Sequence, residues 1–88
     1  MLFKLGRVFA TPSVLKHLEG HRVNPIDLIS CHAVGEWGDI QAEDRMLNDQ
    51  AVRNGSRLLS AYKVGGGRVY IITEWDRSST TVLLASEY

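Results

Sequence analysis

Three features of the sequence predict an α+β fold. Thr11-Pro12 and Asn24-Pro25 each open a helical stretch, the hydrophobic period falls from about 3.6 to about 2 after Gly55, and Gly65-Gly66-Gly67 joins two β-rich runs. The expected order is a short N-terminal strand, three short helices and a three-stranded antiparallel β-meander. The helices should pack on one face of a three- or four-stranded antiparallel sheet. Eighty-eight residues support a single domain, 1–88.

Residues 5–10 are short, partly β-branched and bounded by Gly6 and Thr11-Pro12, which suits a weak first strand. Thr11 has the form of an N-cap with proline at the first helical position; Val14, Leu15 and Leu18 then share a face until Gly20. Asn24-Pro25 repeats the signal. Ile26, Ile29 and Ala33 form its stripe, and the helix is expected to run to about Val34, with Gly35 as its left-handed stop. Asp39 is placed to cap a third helix whose stripe is Ile40, Leu47 and Ala51, ending at Asn54-Gly55. Between the second and third helices, "GEWGD" turns the backbone at Gly35 and Gly38 and leaves Trp37 free to plug the core. Residues 57–64, 68–75 and 80–86 alternate, are rich in β-branched and aromatic side chains, and read as the meander.

Composition bounds the function. At 44% hydrophobic and 23% charged, the chain resembles a soluble globular domain rather than a disordered or membrane protein. Ten basic residues cancel ten acidic ones, so no overall positive field draws in nucleic acid, and a nucleic-acid partner is disfavoured. Cys31 is the one cysteine, so no intramolecular disulfide and no thiolate cluster for zinc is expected, and the cytoplasm is the expected compartment. The opening residues, interrupted by Lys4 and Arg7, suit neither a secretory signal nor a membrane span.

Residues 25–54 have the outline of a helix-turn-helix, but their charge disfavours DNA reading. "DIQAEDRMLNDQ" carries four carboxylates against one arginine, the wrong sign to approach phosphates. Asp44 and Asn48, four apart, border the apolar stripe of the third helix. They are either polar groups at a cleft or bonds to loop backbone that hold Trp37, the second being the expectation; Glu43 borders the other side. His32, in the last turn of the second helix, has the chemistry of a general acid or base. His17 and His21 are four apart but straddle Gly20, so no metal pair is expected, and no cofactor is implied.

Residues 72–84, "ITEWDRSSTTVLL", gather Glu74, Asp76, Arg77, Ser79, Thr80 and Thr81 around one turn. Such a cluster could hold a phosphate or oxyanion. The plainer expectation is a capped turn with Arg77 paired to Glu74 or Asp76 and threonines on an exposed sheet face. "VGGGR" joins two strands and lacks phosphate-loop spacing, and no serine lies in a GxSxG context. The candidate contact residues are therefore Trp37, Asp44, Asn48, Asp76 and Arg77. The candidates for an enzyme are His32, Glu74, Arg77, Thr80 and Thr81.

The runs "HAVGEWGD", "AED" with "LND", "GSRLLSAY" and "ITEWDRSSTTVLL" resemble the small bacterial plasmid-related proteins carried on mobile elements, over residues 23–88. The resemblance implies a bacterial, cytoplasmic protein of the accessory genome and assigns no catalytic residue. Two functions are expected in order. The first is a non-enzymatic interaction or regulatory protein acting through a protein partner or as a homodimer, away from membranes. The second is a small ribonuclease or toxin-like enzyme using His32, Glu74 and Arg77.

Overall fold

The computed structural model describes all 88 residues and is α+β. The elements are β1 (Arg7–Ala10), α1 (Pro12–Gly20), α2 (Pro25–Ala33), α3 (Ala42–Asn54), β2 (Leu58–Val64), β3 (Gly67–Thr73) and β4 (Ser79–Leu84), closed by a 3-10 turn at Ala85–Glu87. Both proline pairs start helices as expected. The Thr11 hydroxyl accepts from the Val14 N–H and the Asn24 side-chain oxygen from the Ile26 N–H, while each proline sits where its missing N–H costs nothing. No helix is long and apolar enough to cross a membrane.

The sheet differs from the expected meander. It is mixed and four-stranded, in the order β1-β4-β3-β2. The β2–β3 hairpin pairs Val64 with Gly67 and Leu58 with Thr73; β4 continues antiparallel, pairing Thr73 with Thr80. β1 lies parallel to β4, Arg7 opposite Ser79 and Ala10 opposite Val82. A parallel neighbour needs a long crossover, and the three helices supply it. Gly6 permits the approach. At φ +66°, a Cβ there would lie 2.4 Å from the carbonyl oxygens of Arg77 and Ser78, so only glycine brings the strand onto the β3–β4 turn. β4 is thus an interior strand, and the edge left open by the last strand of a meander belongs instead to β1.

The opposite edge, β2, is sealed. Trp37 O accepts from the Ala61 N–H at 3.0 Å and the Asp39 N–H donates to Ala61 O at 2.6 Å. The Asn48 amide donates to Leu59 O at 2.7 Å and accepts from the Leu59 N–H at 3.2 Å. Unpaired strand edges recruit other chains, so these bonds protect the sheet. Gly38, at φ +81°, makes the bridge possible, because a Cβ there would lie 2.1 Å from Ala61 O. That accounts for the second glycine of "GEWGD".

These edge bonds also correct the reading of the third helix. α3 begins at Ala42 behind Gln41, whose side chain makes no cap bond, because Asp39 is drawn to β2 and does not cap it. α3 packs beside the β2 edge with Asn48 and Ala51 inward, so Leu47 is 60% exposed rather than in a core stripe. In α2, Ile26 likewise faces out, and Leu28, Ile29, His32 and Ala33 face in.

α1 and α2 cover one sheet face. Val14 and Leu18 pack with Val64, Val69, Ile71 and Val82 in the main core, and Val23, Leu28 and Ile29 seal it. A second cluster gathers Phe3, Trp37, Ala51 and Leu58. Alternation along the strands sends Leu59, Ala61, Lys63, Arg68, Tyr70, Ile72, Thr81 and Leu83 to the other face, which neither α1 nor α2 covers.

Candidate functional site

A directed chain of hydrogen bonds runs through the interior where the two apolar clusters meet. Thr80 Oγ1 donates to Leu5 O at 2.7 Å, so that hydroxyl accepts from Thr73 Oγ1, also at 2.7 Å. Thr73 therefore accepts from His32 Nε2 at 2.8 Å, and His32 Nδ1 accepts from the Ser60 hydroxyl at 2.5 Å. His32, Ser60, Thr73 and Thr80 are each fully buried, and every buried side-chain nitrogen or oxygen has a partner. Phe3 and Trp37 stand edge-on to the imidazole at 5.2 and 5.7 Å. Burial, and secondarily the charge of Arg77, pushes His32 down to about 4 from its ordinary 6.5. At neutral pH it is therefore an uncharged structural link with neither nitrogen free.

Trp37 is 1% exposed and its indole N–H donates to Asp49 at 3.0 Å, so it is the core plug expected of it. Asn48 bonds to the backbone of Leu59 in strand β2 rather than to a loop, and it is Asp49 that receives the Trp37 N–H.

The residues of the 74–81 run part company. Thr80 points into the core and Thr81 to the open face, because neighbours on a strand alternate. Arg77 adopts φ +60° and turns its guanidinium inward. Nη1 donates to the carbonyls of Ser56 (2.5 Å), Glu74 (3.0 Å) and Trp75 (3.3 Å), and Nη2 to that of Ala51 (2.7 Å). Arg77 thereby ties the end of α3 to the β3–β4 turn, and it pairs with backbone rather than with Glu74 or Asp76 carboxylates. Asp76 accepts from the Ser78 N–H at 3.1 Å, and bonds from Ser78 hold its carboxyl below the usual range. None of the surface grooves of about 520, 490 and 200 Å³ is lined by His32, Glu74, Arg77, Thr80 or Thr81.

His17 and His21 lie 4.5 Å apart with their rings tilted at 46° over the hairpin turn, since α1 continues through Gly20. Each commits one ring nitrogen to a carbonyl, Val64 O at 2.8 Å and His17 O at 2.9 Å.

The open chemistry lies between α3 and the uncovered sheet face. One groove of about 520 Å³ is lined by Asp39, Ile40, Gln41, Asp44, Leu59, Ala61, Arg68 and Tyr70. A smaller one of about 200 Å³ shares Asp44 and Leu59 and adds Leu47, Asn48, Arg57 and Tyr88. The two form a single trough with an apolar floor and a charged rim. Arg68 lies over Tyr70 at 5.6 Å and Arg57 over Tyr88 at 5.3 Å. Asp39 faces Lys63 and Arg68 at 3.5 and 3.9 Å, exposed pairs worth little in stability. Of the residues singled out in the sequence, the trough contains Asp44 and Asn48. Arg57, Leu59, Arg68, Tyr70 and Tyr88 escaped notice. The signal was present in the strand phase, since Leu59 and Ala61 fall on one face of β2, Arg57 precedes them at the same alternation, and Arg68 and Tyr70 share that face on β3.

Comparison with protein-family models, curated proteins and solved structures finds no match to this chain in any of the three.

Proposed function

We propose that this chain is a non-enzymatic binding module of a bacterial mobile element, meeting a protein partner in the trough between α3 and the open sheet face. The observation that carries this reading is the contrast between two sets of polar groups. Both ring nitrogens of His32 are held by internal bonds and the Arg77 guanidinium is spent on backbone carbonyls, whereas Asp44, Arg57 and Arg68 stand around an accessible apolar floor. An apolar centre with a charged rim suits protein recognition. The ribonuclease reading needs an open acid–base pair, and nothing in the placement of His32 supports one.

Comparative capture from a bacterial extract tests the proposal. Wild-type chain and Lys16→Glu, altered on the helix-covered side, should retain the same partner, and the double variant Leu47→Glu with Arg68→Glu should lose it. Equal capture by all three overturns the assignment of the surface. Cleavage of a mixed RNA pool by wild type, with folded His32→Ala and Arg77→Ala inert, overturns the non-enzymatic reading.

A further inference from the structure

We infer that the trough takes an extended peptide segment of the partner, with a basic side chain at its middle, an acidic group at one end and aliphatic side chains between. The inference rests on the binding-module reading and specifies the partner's chemistry. Asp44 stands at the centre, shared by both halves of the trough, and no cation of this chain lies within ion-pair distance of it. A rim carboxylate in that position complements a lysine or arginine.

Arg57 supplies the acidic end's partner. Its Nη2 donates to the Tyr88 hydroxyl at 2.6 Å, which steadies the side chain and leaves Nη1 and Nε to receive a carboxylate. At the far end, Lys63 and Arg68 share the one carboxylate of Asp39, whereas Arg57 has no carboxylate of this chain within ion-pair distance. Ile40 and Leu59 form the floor between, where aliphatic side chains displace water.

The fold narrows the mode of binding further. Strand addition to β2 is blocked by Asn48 and by the Gly38 bridge, so the segment lies across side chains rather than extending the sheet. From Arg57 to Ala61 the trough follows about 13 Å of strand, room for about four extended residues. A phosphate backbone fits worse, because the unpaired carboxylate of Asp44 stands at the centre of the trough.

A library of short random peptides, selected separately on wild type, Asp44→Lys, Arg57→Glu and Lys16→Glu, tests this. All three substituted positions are solvent-exposed, and circular dichroism verifies the fold of each variant. Wild type and Lys16→Glu should enrich the same peptides, with lysine or arginine between aliphatic residues and an acidic group at one end. Asp44→Lys should instead enrich an acidic residue at the central position. A wild-type peptide should lose at least tenfold in affinity on either Asp44→Lys or Arg57→Glu.

Absence of enrichment, enriched peptides without a basic residue, or affinities indifferent to the two reversals would overturn the inference. So would a single-stranded RNA pool that binds wild type and is released by Arg57→Glu. If any of these occurs while capture of a protein partner still depends on Leu47 and Arg68, the binding-module reading stands and the peptide assignment alone falls.

Discussion

Ser60 Oγ and His32 Nδ1, 28 positions apart in the chain, lie 2.5 Å apart in the interior, and the proton between them belongs to the serine. The direction is set at the other end of the chain of bonds, where Leu5 O can only accept. A serine hydroxyl donating to an imidazole is the opening geometry of nucleophilic catalysis. Here both groups are fully buried, and the pair serves to fasten α2 to β2 and β3.

The first prediction concerns the tautomer. His32 should carry its proton on Nε2 at neutral pH, giving a protonated-type 15N shift at Nε2 and an unprotonated-type shift at Nδ1. A proton found on Nδ1 would mean that the bonds run the other way from Thr80.

Stability should fall with acid in a window set by the same residue. An unfolded chain protonates its imidazole as pH drops through about 6.5, whereas the folded one resists until about 4. Between those values the unfolded state binds more protons, so stability declines from pH 6.5 towards pH 4 and is unaffected by this group above it. The loss converts to roughly 3 kcal/mol when complete. Urea melts at several pH values measure it, and a flat profile across the window would exclude the assignment.

Arg77 should not be replaceable by lysine. Its planar fork reaches four backbone carbonyls at once, which a single ammonium cannot match. Arg77→Lys should cost about 1–3 kcal/mol. Thermal melts of wild type and variant decide it, and equal midpoints would show that the carbonyls are satisfied otherwise.

The two tryptophans should separate in fluorescence. Trp37 is sealed and Trp75 is 66% exposed, so iodide should quench the Trp75 emission and leave the blue-shifted Trp37 component. Trp37→Ala should cost about 3–5 kcal/mol, as core aromatic truncations do, and a loss below about 1 kcal/mol would place Trp37 at the surface.

Removing the seal on β2 should both destabilise and promote association. Asn48→Ala leaves the Leu59 N–H and C=O without their partner, at a cost of about 1–3 kcal/mol. Sedimentation should show more self-association than wild type. A monomeric variant of unchanged stability would mean that water caps the edge equally well.

Local signals in the sequence determined much of this protein. The Thr11-Pro12 and Asn24-Pro25 pairs begin their helices because cap and proline act within one turn, and the glycine triplet makes its hairpin because turn geometry is equally local. The change of period near Gly55 marks the passage from helix to strand, since side-chain alternation is a property of each backbone conformation. Tertiary structure decided what lies beyond one element. It placed β1 beside β4, which depends on a close approach of Gly6 to a turn some seventy residues away. It turned Asn48 rather than Leu47 inward, because the β2 edge offered an unpaired N–H and C=O. It also buried His32, turned the Arg77 guanidinium onto backbone carbonyls, and left Asp44, Arg57 and Arg68 around the trough. A side chain's chemistry is written in its identity, but whether that chemistry meets solvent or a backbone carbonyl is settled only when distant segments pack.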